Sequence, residues 1–149
     1  MRNLLASYAA LSLLIGAAAA HAEEIRIGFV KTAVPEAFLI AEGKTTPLVV
    51  GSAVHLGDHV RTGKAGSLGI TFQDDTIMSI GPETEIVVDE YLYDPGKDSL
   101  KLAANLLRGS LNYVSGVIAK LRPEAVLIKT PTGTIGVRGT HFAAKVVAP

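Results

Sequence analysis

One set of four side chains is the plausible metal-binding constellation of this sequence. His55, Asp58 and His59 lie close together in the sequence, and His141 lies far along the chain. Imidazole and carboxylate groups suit zinc, but a zinc site needs three or four ligands that converge. His55 and His59 would share one face only on a helix, and Gly57 predicts a turn there. We therefore expect turn histidines and no metal site.

Two glycine-containing segments share letters with nucleotide-binding loops but have the wrong spacing. Residues 42–46 include Gly-Lys-Thr, yet Phe38 stands where a phosphate-binding loop needs its first glycine. Gly133, Gly136 and Gly139 are spaced evenly by three, which does not match the dinucleotide-binding fingerprint. These glycines are better explained as strand bends or places where two backbones come close. We expect no bound cofactor.

Adjacent acidic residues occur at Asp74-Asp75 and at Asp89-Glu90. Acid–base catalysis requires two environments that separate the pKa values of the two carboxyls. Neighbouring acids in a turn are more often solvated, so we expect Asp74 and Asp75 to face water. The serines lack a Gly-x-Ser-x-Gly elbow, and the chain has no cysteine. We expect no catalytic residues and no enzyme activity.

The N-terminal segment, residues 1–22, has the pattern of a secretory signal peptide. Arg2 precedes an apolar run over residues 4–20, and the segment ends in Ala-His-Ala, which suits signal peptidase. A transmembrane anchor is the alternative, but the run is at the short limit for a bilayer span. We expect a soluble mature chain that begins at Glu23. It would be periplasmic or secreted, and would meet the membrane only during export.

The mature segment, residues 23–149, is predicted to be one all-β domain. Short runs of alternating apolar and polar residues recur at intervals of roughly ten residues, and glycine and proline separate them. Stretches 103–107 and 117–121 are helical candidates. Without Arg2 the chain has 13 basic and 14 acidic residues and no basic stripe, which argues against nucleic acid binding. We expect a compact β-roll or β-solenoid-like stack, with the solenoid favoured.

Four segments, in order, carry a further pattern: residues 57–63, residues 68–76 with 80–86, residues 106–111 and residues 130–142. This pattern resembles the FecR domain family, and its last segment is the most specific. Asp75 departs from it, since the family usually has glycine there. The matching residues, which we expect to be mostly structural, are Gly57, Asp58, Arg61, Thr62, Asp75, Thr76, Gly109, Thr130, Pro131, Gly136, Arg138, Gly139, Thr140 and Phe142.

The resemblance implies a non-catalytic periplasmic module. In the regulators that name the family, this module follows a membrane helix and a cytoplasmic anti-sigma segment, and it relays the state of a TonB-dependent transporter. We expect the module here without that transmembrane signalling. Its expected partner is another envelope protein. Envelope polysaccharide or peptidoglycan is the alternative, disfavoured because aromatic residues are few and tryptophan is absent.

Three motif positions have predicted roles in the fold. Asp58 should accept backbone amides within its turn. Thr130-Pro131 should lead in extended form into the last strand. Arg138 should hold carbonyl groups or Asp58 with its planar guanidinium, so that Arg138→Ala would lower stability.

The final run, residues 142–148, is predicted to be an edge strand. Such an edge offers unpaired backbone groups to an extended partner. We expect the partner to contact Phe142, Val146 and Val147, while Lys145 and Pro149 hinder pairing between copies. On this hypothesis Val146→Lys weakens partner binding with little loss of stability.

Overall fold

The computed structural model describes residues 24–147 of the 149-residue chain. The predicted signal peptide, residues 1–22, lies outside the described residues, as do Glu23, Ala148 and Pro149. One helix, α1, is Val117–Leu121, and single 3-10 turns are formed by Pro95–Lys97 and Pro123–Ala125. The strands are β1 (Arg26–Val34), β2 (Ala37–Ala41), β3 (Lys44–Pro47), β4 (Ala53–His55), β5 (His59–Thr62), β6 (Ser67–Phe72), β7 (Ile77–Ile80), β8 (Glu85–Asp94), β9 (Ser99–Val114), β10 (Val126–Thr130), β11 (Gly133–Gly136) and β12 (His141–Val146).

The long strand β9 organises the sheet. On one edge it pairs first with β8 and then, beyond a bend, with β7. On the other edge it pairs with β10 along its first half and with β12 along its second half. The bend lies at Gly109, whose φ of 89° is in the left-handed region. Because glycine adopts this conformation without strain, β9 can serve two halves of the sheet.

The remaining strands extend the sheet outward from β8 and β7. The order is β3-β2-β5-β8-β9-β7-β6-β1-β4, and all pairs in it are antiparallel. The pair β9–β10 is parallel, and β11 pairs with β10. The whole sheet curls into a half-barrel. The prediction of a single all-β domain is confirmed, whereas the solenoid-like stacking stays a prediction.

The core fills the inside of the curled sheet. Strand β7 shows the expected alternation, with Met78 and Ile80 buried and Ile77 and Ser79 exposed. Helix α1 closes one end of the core through Ile118, which is fully buried. Alternation therefore separates an apolar inner face from a solvated outer face. The largest fully buried side chains are Tyr113, Phe72, Ile27, Leu68, Met78, Leu102, Leu106, Leu111, Ile118, Ile128, Val30 and Val126.

The two helical candidates have different outcomes. Residues 103–107 form part of β9, so the helical prediction there is wrong. Alanine and leucine favour helix, but here the backbone pairs with β8 on one edge and with β10 on the other. These non-local hydrogen bonds, together with the burial of Ala104 and Leu106, override the local preference. Residues 117–121 form α1, so that prediction is confirmed.

No helix among residues 24–147 has both the length and the apolar character needed to cross a bilayer.

Candidate functional site

A buried carboxylate anchors the turn between β6 and β7. Asp74 is fully buried, so the expectation that it faces water is wrong. Its Oδ1 accepts the Thr76 amide at 3.3 Å and the Tyr91 hydroxyl at 3.0 Å. Its Oδ2 accepts the Thr76 hydroxyl at 2.8 Å and the Ile118 amide at 3.1 Å. Each oxygen thus has two donors, which offsets the cost of burying the charge.

The backbone of the same turn holds α1 in place. The Asp74 backbone carbonyl accepts the Val117 amide at 2.7 Å, and the Asp74 backbone amide donates to the Tyr91 hydroxyl at 3.0 Å. A Cβ on Gly116 would lie 2.2 Å from the Thr76 nitrogen, so only glycine fits there. Burial and the nearby Asp74 carboxylate raise the pKa of Tyr91. The Tyr91 hydroxyl therefore keeps its proton and remains a donor to Asp74.

The neighbouring acid, Asp75, is exposed and has a φ of 66°. This left-handed conformation suits glycine best, and aspartate is one of the few other residues that adopt it readily. The backbone therefore explains why aspartate can replace the glycine of the motif.

A second buried cluster joins β5, the β7–β8 turn and the bend of β9. The Thr62 hydroxyl donates to the Gly81 carbonyl at 2.7 Å and accepts the Thr84 amide at 2.9 Å. The Thr84 hydroxyl accepts the Ser110 amide at 2.9 Å. A Cβ on Gly109 would lie 2.2 Å from the Thr84 hydroxyl oxygen. Thr62 and Thr84 therefore link the two halves of the sheet, and Gly109 leaves the space that Thr84 needs.

Charged groups meet on the outer surface of β5, β8 and β9. Arg61 and Arg108 each lie 3.3 Å from a Glu85 carboxylate oxygen, and His59 contacts the same carboxylate. Burial alone would raise the pKa of Glu85. The hydrogen bond and charge of Arg61, with the charges of His59 and Arg108, outweigh that effect and lower this pKa. Arg61 thus acts as a structural partner of Glu85.

The four candidate metal ligands do not converge. Asp58 accepts the His55 amide at 2.8 Å, which is the turn role expected of it, and its carboxylate lies 3.6 Å from the His55 ring. His59 is held by Glu85, and His141 is hydrogen-bonded to Asn112. Within residues 24–147, no three His, Asp or Glu side chains are grouped so that they could hold a metal ion.

The predicted Arg138 clamp does not form. Arg138 is exposed, and within the described part of the chain its side chain has no hydrogen-bond or ion-pair partner. Gly136 and Gly139 leave open space around their Cα atoms, so neither brings another backbone close to the turn. Thr130-Pro131 does not lead into the last strand either, because Thr130 ends β10 and Pro131 lies in the turn to β11.

We expect Arg138→Ala to change the free energy of unfolding by less than about 0.5 kcal/mol, because an exposed side chain without partners contributes little. This replaces the earlier expectation of a loss. Urea unfolding of the variant measures the change in the free energy of unfolding. Arg61→Ala is the control, since it breaks the contact with Glu85 and should lower stability more. A loss for Arg138→Ala as large as that of the control would contradict the exposed geometry.

The last strand, β12, presents one free edge among the residues described. Its other edge pairs with β9 from His141 to Val146. The Ser115 amide donates to the Thr140 carbonyl at 2.8 Å. Since hydrogen-bonded pairs alternate along an antiparallel ladder, residues 142, 144 and 146 also bond to β9. Residues 141, 143 and 145 therefore direct their amides and carbonyls toward the free edge.

The side chains of β12 alternate as well. Phe142, Ala144 and Val146 are half-buried and pack against the core, and the Phe142 ring stacks on Tyr113 with centroids 4.9 Å apart. Val146→Lys would therefore disturb packing, and on this geometry we expect it to lower stability as well. Val147, in contrast, is 76% exposed. Ala143 is the better position for testing the edge.

A shallow groove of about 760 Å³ runs over the outer face of the sheet, on the side of β12 that pairs with β9. Strands β7, β9 and β12 form its floor, which is made mainly of small side chains. The residues that line it include Ser79, Gly81, Ser110, Asn112, Ala143 and Lys145.

The sequence model of the FecR protein family matches residues 58–148, which is more than half of the chain. The chain belongs to the FecR family. No curated protein matches it significantly, and neither does any solved structure. FecR is a family of signalling and regulatory proteins and is not a known enzyme family.

In this FecR domain, several matched residues lie in the two buried clusters. Thr76 belongs to the Asp74 cluster, and Thr62 and Gly109 belong to the Thr84 cluster. Thr140 accepts the Ser115 amide at the start of β12. These contacts support a structural role for the matched positions and leave the exposed edge of β12 as the candidate functional site.

Sequence reasoning missed the central residues of both clusters, Asp74 and Thr84. The local signal for Asp74 was its position two residues before Thr76, the spacing at which an aspartate carboxylate accepts a following amide in a turn. Nothing local marks Thr84, because its partners Thr62 and Ser110 are distant in the sequence.

Proposed function

We propose that this FecR domain is an exported, non-catalytic module of envelope signalling that binds another envelope protein. An extended segment of that partner adds to the free edge of β12. The observation that carries the proposal is the outward direction of the backbone groups of residues 141, 143 and 145, deduced from the hydrogen bond between Ser115 and Thr140. Strand addition of this kind uses main-chain hydrogen bonds for affinity.

The other terminal strands of the sheet are less suited to pairing. Strand β3 is four residues long and contains Lys44 and Pro47, which hinder pairing at an edge. Strand β4 has three residues, and β11 has four and is bounded by glycines. Strand β12 has six residues and contains neither proline nor glycine. Length and composition therefore favour β12 among the edges described.

The aromatic residues favour a protein over a polysaccharide partner. Sugar rings usually stack on exposed aromatic faces. The ring that borders the groove belongs to Phe142, which is half-buried and stacked on Tyr113. Phe72 and Tyr91 are buried. The groove beside β12 thus presents hydrogen-bonding edges and small side chains rather than a stacking platform.

The proposed location is the periplasm, with secretion as the alternative. It rests on residues 1–22, whose sequence is typical of a cleavable signal peptide.

Photo-crosslinking in intact cells tests the proposed function. We expect benzoylphenylalanine at position 143 to give an adduct with an envelope protein, identified by mass spectrometry. The same residue at Thr45, which is exposed on the β3 edge, is the matched control and should give none. The uncrosslinked protein should have the mass of a chain that begins at Glu23. Equal labelling from both positions, or none from position 143, would overturn binding at β12.

A further inference from the structure

None of the outward residues of β7, of the end of β9 and of β12 is acidic among the residues described; the nearby acid is Glu83, which lines a pocket with Lys145 but forms no ion pair with it. The outward residues of β7 and of the end of β9 are Ile77, Ser79, Asn112 and Val114. Those of β12 are His141, Ala143 and Lys145. Lys145 has no ion-pair partner among the residues that the structure describes, and His141 bonds to the neutral Asn112. The charge on these outward residues is therefore that of Lys145, which no carboxylate of the described residues neutralises in an ion pair.

The two ionisable side chains of β12 are placed to meet a neighbouring strand. His141 and Lys145 lie on the same face, on either side of Ala143. In an added antiparallel strand, residues on that face stand directly opposite them at a repeat of two residues. A carboxylate opposite Lys145 would form an ion pair with it, because opposite charges across strands attract, and a carboxylate opposite His141 would do so when the imidazole is protonated.

The inner face of β12 determines which residue types suit the other alternate positions of the incoming strand. Phe142, Ala144 and Val146 are half-buried and pack against the core. Side chains of an added strand that point the same way would cover them. Apolar residues at these alternate positions would continue the core and remove more apolar surface from water.

A second copy of this chain fits the edge poorly. If two β12 strands paired antiparallel with Ala143 at the centre, Lys145 of each copy would stand opposite His141 of the other. Basic groups would then face each other, whereas a carboxylate at that position would pair with Lys145. Charge complementarity thus favours a different, acidic partner.

We propose that β12 receives an extended peptide in which acidic residues alternate with apolar ones, the acidic ones facing His141 and Lys145. This inference rests on the proposed function and specifies the chemistry of the partner segment. It also assigns Lys145 a role in partner selection in addition to hindering self-pairing.

Titration with three synthetic peptides, followed by NMR of the isotope-labelled mature protein, tests the inference. The blocked octapeptides alternate valine with glutamate, with threonine or with lysine. We expect the glutamate peptide to bind several-fold more tightly than the lysine peptide, since the residue opposite Lys145 changes from an opposite to a like charge between them. The amide signals of residues 141–146 should shift most, and added salt should reduce the difference.

Charge reversal supplies the decisive comparison. Lys145→Glu should weaken binding of the glutamate peptide and strengthen binding of the lysine peptide, each several-fold. Lys44→Glu, the same change on the exposed edge strand β3, is the matched control and should alter neither. Ala143→Pro should weaken the binding of every peptide, because it removes an outward backbone amide. Ala143→Thr keeps that amide and should leave binding unchanged.

The outcomes separate the inference from the proposed function. Equal binding of the glutamate and lysine peptides, with loss of both in Ala143→Pro, would overturn the acidic specificity and leave strand addition intact. Failure of the glutamate peptide to shift residues 141–146 at millimolar concentration would overturn the inference, while the crosslink from position 143 judges the proposed function separately.

Discussion

Asp74→Asn is expected to lower the free energy of unfolding by about 2 to 4 kcal/mol. The substitution keeps the shape of the side chain and replaces one buried carboxylate oxygen by an NH2 group. Both oxygens accept a backbone amide, Oδ1 from Thr76 and Oδ2 from Ile118. Whichever way the new amide is oriented, one backbone N–H loses its acceptor and faces another donor. Urea unfolding followed by circular dichroism measures the loss.

Asp75→Asn is the matched control for this substitution. It makes the same chemical change one residue away, at an exposed position with a φ of 66°, which asparagine also tolerates. Its stability should remain within about 0.5 kcal/mol of the parent. Similar losses in both variants would show that the turn responds to charge in general, and the role assigned to the buried hydrogen bonds of Asp74 would be wrong.

Gly109→Ala is expected to cost about 3 to 5 kcal/mol, or to prevent folding, because strain and overpacking act together. Its Cβ would lie 2.2 Å from the Thr84 hydroxyl oxygen and 2.4 Å from the Thr84 Cα. The second atom belongs to the backbone, so a rotamer change cannot relieve the clash. The shift would also break the hydrogen bond from the Ser110 amide to Thr84. Thermal and urea unfolding of the purified variant measure the effect.

Gly139→Ala separates backbone strain from lack of space. Gly139 has a φ of 99°, close to the 89° of Gly109, but nothing lies within 4 Å of its added Cβ. Gly139→Ala should lower the free energy of unfolding by about 1 to 2 kcal/mol, which is the penalty of the left-handed conformation alone. Should the two variants lose the same stability, the close approach to Thr84 would not be what requires glycine at 109.

The fold class and the family could be predicted from the sequence because both depend on local patterns. Alternation at period two marks strands such as β7, and the turn at residues 73–76 follows from its polar residues. The short helix α1 was also visible, because Pro123 stops it. The matched segments identify FecR without reference to any contact between distant residues.

Tertiary structure alone decided which of these residues are buried and what they contact. Asp74 and Asp75 are chemically identical neighbours, yet only Asp74 meets Tyr91 and Ile118, which arrive from distant parts of the chain. Residues 103–107 form strand because both edges of β9 pair with other strands, whereas the Arg138 side chain has no partner within residues 24–147. Strand β12 likewise has a free edge because, among the described strands, it pairs only with β9. The local sequence encodes the preferred backbone conformation of each segment. Burial and strand pairing depend on contacts between residues far apart in the chain, and a local pattern does not encode those contacts.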